Sequence, residues 1–194
     1  MKQIIIAILV SALVLFGASF GLNSIAATNA QIEHLNMMRT LLPNSKNFTV
    51  EPYSGEDANI RSVHKGETGF VIETVTYGYA GEITMLIGVS NEGRITGLVV
   101  RDMHETFGLG AQALTDHVFL SQFLNRSGSF AVASHDADAF SGATAEAEPE
   151  GDSVEVDGIT GATVTSKAVV RCVNSAVAYV TGADAVSAAT SWGG

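Results

Sequence analysis

The sequence predicts an α+β fold: an antiparallel sheet with packed helices, preceded by one N-terminal transmembrane helix. Three observations carry that expectation. Residues 4–22, IIIAILVSALVLFGASFGL, hold no charge, and none occurs between Lys2 and Glu33. Residues 69–103 alternate β-branched and aromatic side chains with polar ones, the period-two pattern of a half-buried sheet. Residues 163–181 repeat Val and Ala at helical spacing.

Nineteen helical residues span roughly 28 Å, close to the ~30 Å hydrocarbon thickness of a bilayer. A cleaved signal peptide would need an apolar stretch of only ~7–15 residues, although Ser24-Ile25-Ala26 could serve as its cleavage site. Residues 1–25 are therefore read as a retained anchor. Lys2 on one flank, against Glu33 and Arg39 on the other, puts the N-terminus inside and the body outside the cytoplasm. Residues 26–62 follow as a juxtamembrane helix and linker. Ile32, Leu35, Met38 and Leu42 form the helix's stripe, which ends at Pro43, and residues 44–62 are polar, with Pro52 and Gly55.

The domain is expected over residues 63–182, with a tail at 183–194. Its strands form a meander broken at Gly78, Gly81 and Asn91-Glu92-Gly93, the last a hairpin turn. A helix is expected over 111–124, with Leu114, Val118 and Phe119 toward the sheet. A strand near 128–134 and another at 153–156 flank an acidic, Gly- and Ala-rich stretch. The final helix starts at Thr163, buries Val169, Val170, Val173, Ala176, Val177 and Val180 on one face, and ends at Gly182.

Charge and composition exclude several classes. A net charge of −10 argues against nucleic acid and against an anionic lipid surface as partners. The lone cysteine, Cys172, forms no intrachain disulfide and reads as a small packed side chain. His34, His64, His104, His117 and His135 lack metal-ligand spacing, so no metal site is expected. Neither a Ser-His-Asp set nor a Walker loop occurs.

The chemistry concentrates in DGITGATVTSK, residues 157–167. A helix N-terminus offers unpaired N–H groups and partial positive charge, a natural seat for phosphate. Gly161 and Ala162 leave room for close approach, Lys167 adds a cation, and hydroxyls come from Thr160, Thr163, Thr165 and Ser166. On the residues alone, those hydroxyls either cap the helix, their commoner use, or meet an anionic oxygen.

Asp157, Thr160, Gly161, Ala162 and Thr163 match the D-x-x-[S/T]-G-A-T flavinylation motif of the FMN-binding domain family. MHETFGLG, residues 103–110, resembles that family's H-E-T-P-G-L-G loop, and residues 78–100 resemble the hairpin leading into it. The resemblance, covering about residues 70–181 and the anchor, is strongest to the branch serving Rnf-type electron-transport complexes. It implies FMN joined covalently through its phosphate to Thr163 by a flavin transferase outside the cytoplasm. Asp157, Thr160, Gly161, Ala162 and Thr165 would surround the attachment, and Glu105, Thr106, Gly108, Leu109 and Gly110 would line the isoalloxazine. It implies an electron-transfer subunit, not catalytic alone, of a complex coupling ferredoxin:NAD oxidoreduction to Na⁺ or H⁺ transport, with other membrane subunits as partners. The alternatives are the Na⁺-translocating NADH:quinone reductase branch, a free-standing anchored flavodomain and a non-redox anchored binding domain.

Two departures stand out. Phe107 replaces the family's proline. Asp138, Ser141, Gly142, Ala143 and Thr144 repeat the motif, but Glu146, Glu148 and Glu150 would repel a phosphate there, which leaves Thr163 as the attachment residue.

Overall fold

Five strands follow one another as an antiparallel meander: β1 (Thr49–Glu51), β2 (Ile60–Lys65), β3 (Gly69–Tyr77), β4 (Glu82–Ser90) and β5 (Ile95–Met103), in the order β1-β2-β3-β4-β5. The structure is a computed structural model and describes residues 29–105, 110–133 and 153–182. The anchor expected at 1–25, Thr106 to Leu109, the second motif copy and the tail lie outside the described residues. Among those described, no helix is long and apolar enough to cross a membrane.

The chain divides into two units, residues 1–37 and 38–194. Residues 29–41 are helical (α1). In the first unit, Ile32 and Leu35 of the predicted stripe are exposed; in the second, Met38, Leu41 and Leu42 are buried. The second unit reaches further upstream than residue 63. The stretch read as a linker contains β1 and the start of β2, which were illegible because β1 is a three-residue edge strand with no alternating burial.

Strand alternation gives the sheet two covered faces. Ile72 of β3 and Ile83, Met85, Ile87 and Val89 of β4 form one hydrophobic cluster with α4 (Thr163–Thr181). On the other face, Gly88 and Gly97 pair across β4 and β5, and the Leu41 carbonyl sits against them. A Cβ on Gly88 would lie 2.2 Å from that oxygen, so this glycine is required by close approach.

The helix expected over 111–124 is two short ones, α2 (Gly110–Thr115) and α3 (His117–Ser121). Asp116 breaks the run by accepting the N–H groups of Val118 and Phe119 as an N-cap. Leu114 and Phe119 are buried as expected, but Val118 points to solvent. The strand expected near 128–134 is β6 (Phe130–Val132), and it joins β7 (Val154–Val156) in a separate parallel pair. Asn174 of α4 closes its edge: the side-chain amide accepts the Phe130 N–H and donates to the Phe130 carbonyl, both at 2.9 Å.

Helix α4 follows the sequence closely. Val169, Val170, Val173, Ala176 and Val177 are buried, as is Cys172, while Val180 is partly so. Gly182 ends the helix in the left-handed conformation at φ 68°, the conformation that glycine adopts without a Cβ penalty.

Candidate functional site at the mouth of the last helix

Helix α4 is entered through a tight turn. The Ala162 N–H donates to the Ile159 carbonyl at 2.9 Å, and Gly161 takes φ 80° at the third turn position, where a type II turn needs positive φ. The Ser166 hydroxyl fastens this turn from inside, accepting the Ile159 N–H and donating to the Ala162 carbonyl. Ser166 is fully buried and so belongs to the scaffold.

The capping use of the hydroxyl cluster is not what the structure contains. Ala162 stands at the N-cap, and no side chain makes a cap hydrogen bond. Thr160 and Thr163 are exposed. Thr165, one position past the second helical residue, is completely buried, and its hydroxyl has no hydrogen-bond partner. A buried unpaired hydroxyl costs on the order of 1–3 kcal/mol, so its place at this helix mouth calls for an explanation.

A second group converges on the same turn of α4. The two oxygens of Glu105, which follows β5, accept the Tyr79 N–H at 2.7 Å and the Ala80 N–H at 3.3 Å. Its carboxylate passes between two glycines. A Cβ on Gly78 would lie 1.8 Å from Oε1, and one on Gly110 would lie 2.4 Å from Oε2 and 2.8 Å from the Thr165 hydroxyl. Glu105 and Thr165 therefore both border the space that Gly110 leaves by having no side chain.

Of the residues singled out in the sequence, Glu105, Gly110 and Thr165 come together, and Thr160, Gly161, Ala162 and Thr163 form the helix mouth. Asp157 is exposed, and its main chain pairs with the side chain of Gln122: the Asp157 N–H donates to Oε1 at 2.8 Å, and Nε2 donates to its carbonyl at 3.1 Å. Thr106, Gly108 and Leu109 lie outside the described residues. Sequence reasoning missed Gly78, Tyr79 and Arg171. Gly78 looked like a strand breaker and is also the seat of a carboxylate. Arg171 ties α4 to the end of β3 by donating to the Tyr77 carbonyl at 2.9 Å.

These features suit an FMN phosphate at Thr163: an uncapped helix N-terminus, an exposed hydroxyl on its first turn, a glycine turn beside it and a buried, unpartnered hydroxyl two residues further on. The FMN-binding domain pattern matches residues 78–178, just over half of the chain.

The chain belongs to the FMN-binding domain family.

The match begins at Gly78, the glycine against Glu105, and includes the whole α4 mouth. The G subunit of the Na(+)-translocating ferredoxin:NAD(+) oxidoreductase complex of Acetobacterium woodii is 39% identical over 110 residues, 56% of this chain and 47% of that protein. The chain thus spans about half the length of that relative. The G subunit of the ion-translocating oxidoreductase complex of Methanosarcina acetivorans is 32% identical over 74% of this chain and 72% of its own. Its counterpart in the proton-translocating ferredoxin:NAD(+) oxidoreductase complex of Clostridium ljungdahlii is 27% identical over 87% and 83%. The crystal structure of Shewanella oneidensis NqrC is a loose likeness, with TM-score 0.42 and 24% identity over 70% of this chain and 64% of that one.

Proposed function

We propose that this chain carries one FMN, linked as a phosphodiester through Thr163, and relays electrons as part of a membrane-bound ion-translocating oxidoreductase of the Rnf type. The observation that carries the reading is the open mouth of α4, where Thr163 is exposed, no side chain caps the helix, and the Thr165 hydroxyl is buried without a partner. The names of the relatives support the assignment: all three are G subunits of ion-translocating oxidoreductase complexes, and two of those complexes are ferredoxin:NAD(+) oxidoreductases.

FMN, when bound, supplies chemistry that links one-electron and two-electron carriers. What the chain supplies is position and electrostatics. The first N–H groups of α4 and the helix dipole favour the negative phosphodiester. Lys167, exposed one turn further along, adds positive charge. Gly161 and Ala162 keep the approach open, Asp157 completes the motif, and Thr165 offers the inner hydroxyl. Electrostatics at an exposed helix end contribute only ~0.3–1 kcal/mol, too little to retain a cofactor on an open surface. A covalent bond at Thr163 makes retention independent of that weak term.

The sequence and the names of the relatives support the rest of the proposal. Residues 1–25 anchor the chain in the plasma membrane in a single pass, the flavin domain stands outside the cytoplasm, and a flavin transferase acting there matures it. Its partners are the other membrane subunits of the complex, which together couple electron flow between ferredoxin and NAD to Na⁺ or H⁺ transport. The chain alone catalyses no turnover. Denaturing electrophoresis of the full chain, expressed with a flavin transferase, tests the reading: a band that fluoresces under ultraviolet light is expected, and a dark band at full expression overturns it.

A further inference from the structure

We propose that Tyr79 is the aromatic platform against which the flavin ring rests, a positioning residue for the cofactor. The inference builds on FMN attachment at Thr163.

Three hydrogen bonds hold the turn between β3 and β4. Gly78 donates its N–H to the Gly81 carbonyl at 2.8 Å, and Glu105 accepts the two N–H groups in between. Gly78 and Gly110 both lack the side chain that would collide with that carboxylate. The turn so fixed consists of Gly78, Tyr79, Ala80 and Gly81, so the only side chain larger than a methyl that it presents is the Tyr79 ring. Tyr79 is 74% exposed. A tyrosine ring on a fixed support offers an amphipathic face against which a flat aromatic ligand can stack.

The location fits the tether. Glu105, which holds the Tyr79 N–H, shares the Gly110 space with Thr165, so the clamped turn lies beside the first turn of α4, on which Thr165 faces inward and Thr163 outward. Between a threonine oxygen and the flavin ring run about eight single bonds of ~1.5 Å, a reach of ~8–10 Å. A tether of that length lets the ring leave the helix mouth, and the clamped turn beside the first turn of α4 is the support assigned to it.

Tyr77 is a built-in control. It is 70% exposed, but it alternates with Thr76, whose hydroxyl faces Arg171 of α4, and so projects from the opposite face of the sheet.

The test uses the flavinylated full chain and its Tyr79→Ala, Tyr79→Phe and Tyr77→Ala variants, with FMN content fixed by intact mass and folding by circular dichroism. A phenol stacked on an isoalloxazine quenches its emission. Per-flavin emission should therefore rise several-fold and anisotropy fall in Tyr79→Ala. Anisotropy should be retained in Tyr79→Phe, and neither quantity should move in Tyr77→Ala. Emission and anisotropy unchanged in flavin-loaded Tyr79→Ala would overturn the platform while leaving FMN attachment intact. An equal fall of anisotropy in Tyr79→Phe, or an equal rise of emission in Tyr77→Ala, would overturn it too. A parent chain without FMN mass would remove the underlying assignment as well.

Discussion

Glu105 and Tyr79, twenty-six residues apart, are joined by a 2.7 Å hydrogen bond from the Tyr79 N–H to the Glu105 carboxylate. This bond fixes the β3–β4 turn to the chain just past β5 and places both beside the first turn of α4. Glu105 thus acts on the site through the backbone that it holds.

Removing that carboxylate, as in Glu105→Ala, leaves two N–H groups without their charged acceptor. A partly exposed position lets water replace some of the loss, so a destabilisation of about 1–2 kcal/mol is expected in urea unfolding. Gly78→Ala should cost a similar amount, because the new methyl displaces Oε1. In a Glu105→Ala background most of that cost should vanish, leaving the smaller contact with Ile83 Cδ1. Additive effects in this double-mutant cycle would show that the glycine and the carboxylate are not coupled.

Asn174→Ala tests the closure of β6. It strips both partners from the buried Phe130 main chain, and about 2–3 kcal/mol should be lost. Hydrogen exchange at the Phe130 amide should accelerate more than exchange in β4. Unchanged protection there would mean that β6 is held by β7 alone.

Gly161→Ala forces a Cβ into the left-handed region at φ 80°. The strain is roughly 1–2 kcal/mol, and the change should slow flavin attachment by disturbing the approach to Thr163. A time course of FMN incorporation by mass reads this directly. Incorporation at the parent rate would show that the turn conformation is not needed.

Burial raises the Cys172 thiol from its ordinary 9.0 to about 11, against smaller opposing effects of the Thr74 hydroxyl and the Arg171 charge. The neutral thiol is the form that the fold prefers. Its contribution to stability is complete below pH 9 and is lost as pH rises toward 11. Tyr179, raised by burial and by its bond to Glu51, pushes the same way. Stability should therefore fall on the alkaline side. Cys172→Ala should lose less between pH 9 and 11 than the parent, and native thiol alkylation at pH 8 should be slow. Equal alkaline losses in parent and variant would contradict the burial account.

The sheet from Gly69 to Met103 and helix α4 were legible because each carries its period in its side chains. β1 was not, since a short edge strand with solvent on both sides needs no alternation. The break at Asp116 was missed because an acidic residue within an apolar helical run looks like surface until its carboxylate is seen capping α3. At the site, the motif brought out Thr163 and its neighbours, but composition could not tell whether their hydroxyls cap the helix; that required finding Ala162 at the N-cap with no side-chain cap bond and Thr165 unpartnered. The role of Tyr79 was hidden because it depends on Glu105 and two glycines from distant segments.

The most direct test of the central claim is intact mass of the full chain co-expressed with a flavin transferase, for the parent, Thr163→Val and Thr144→Val. One FMN increment should appear in the parent and in Thr144→Val and be absent from Thr163→Val. An increment that survives in Thr163→Val would contradict attachment at the mouth of α4.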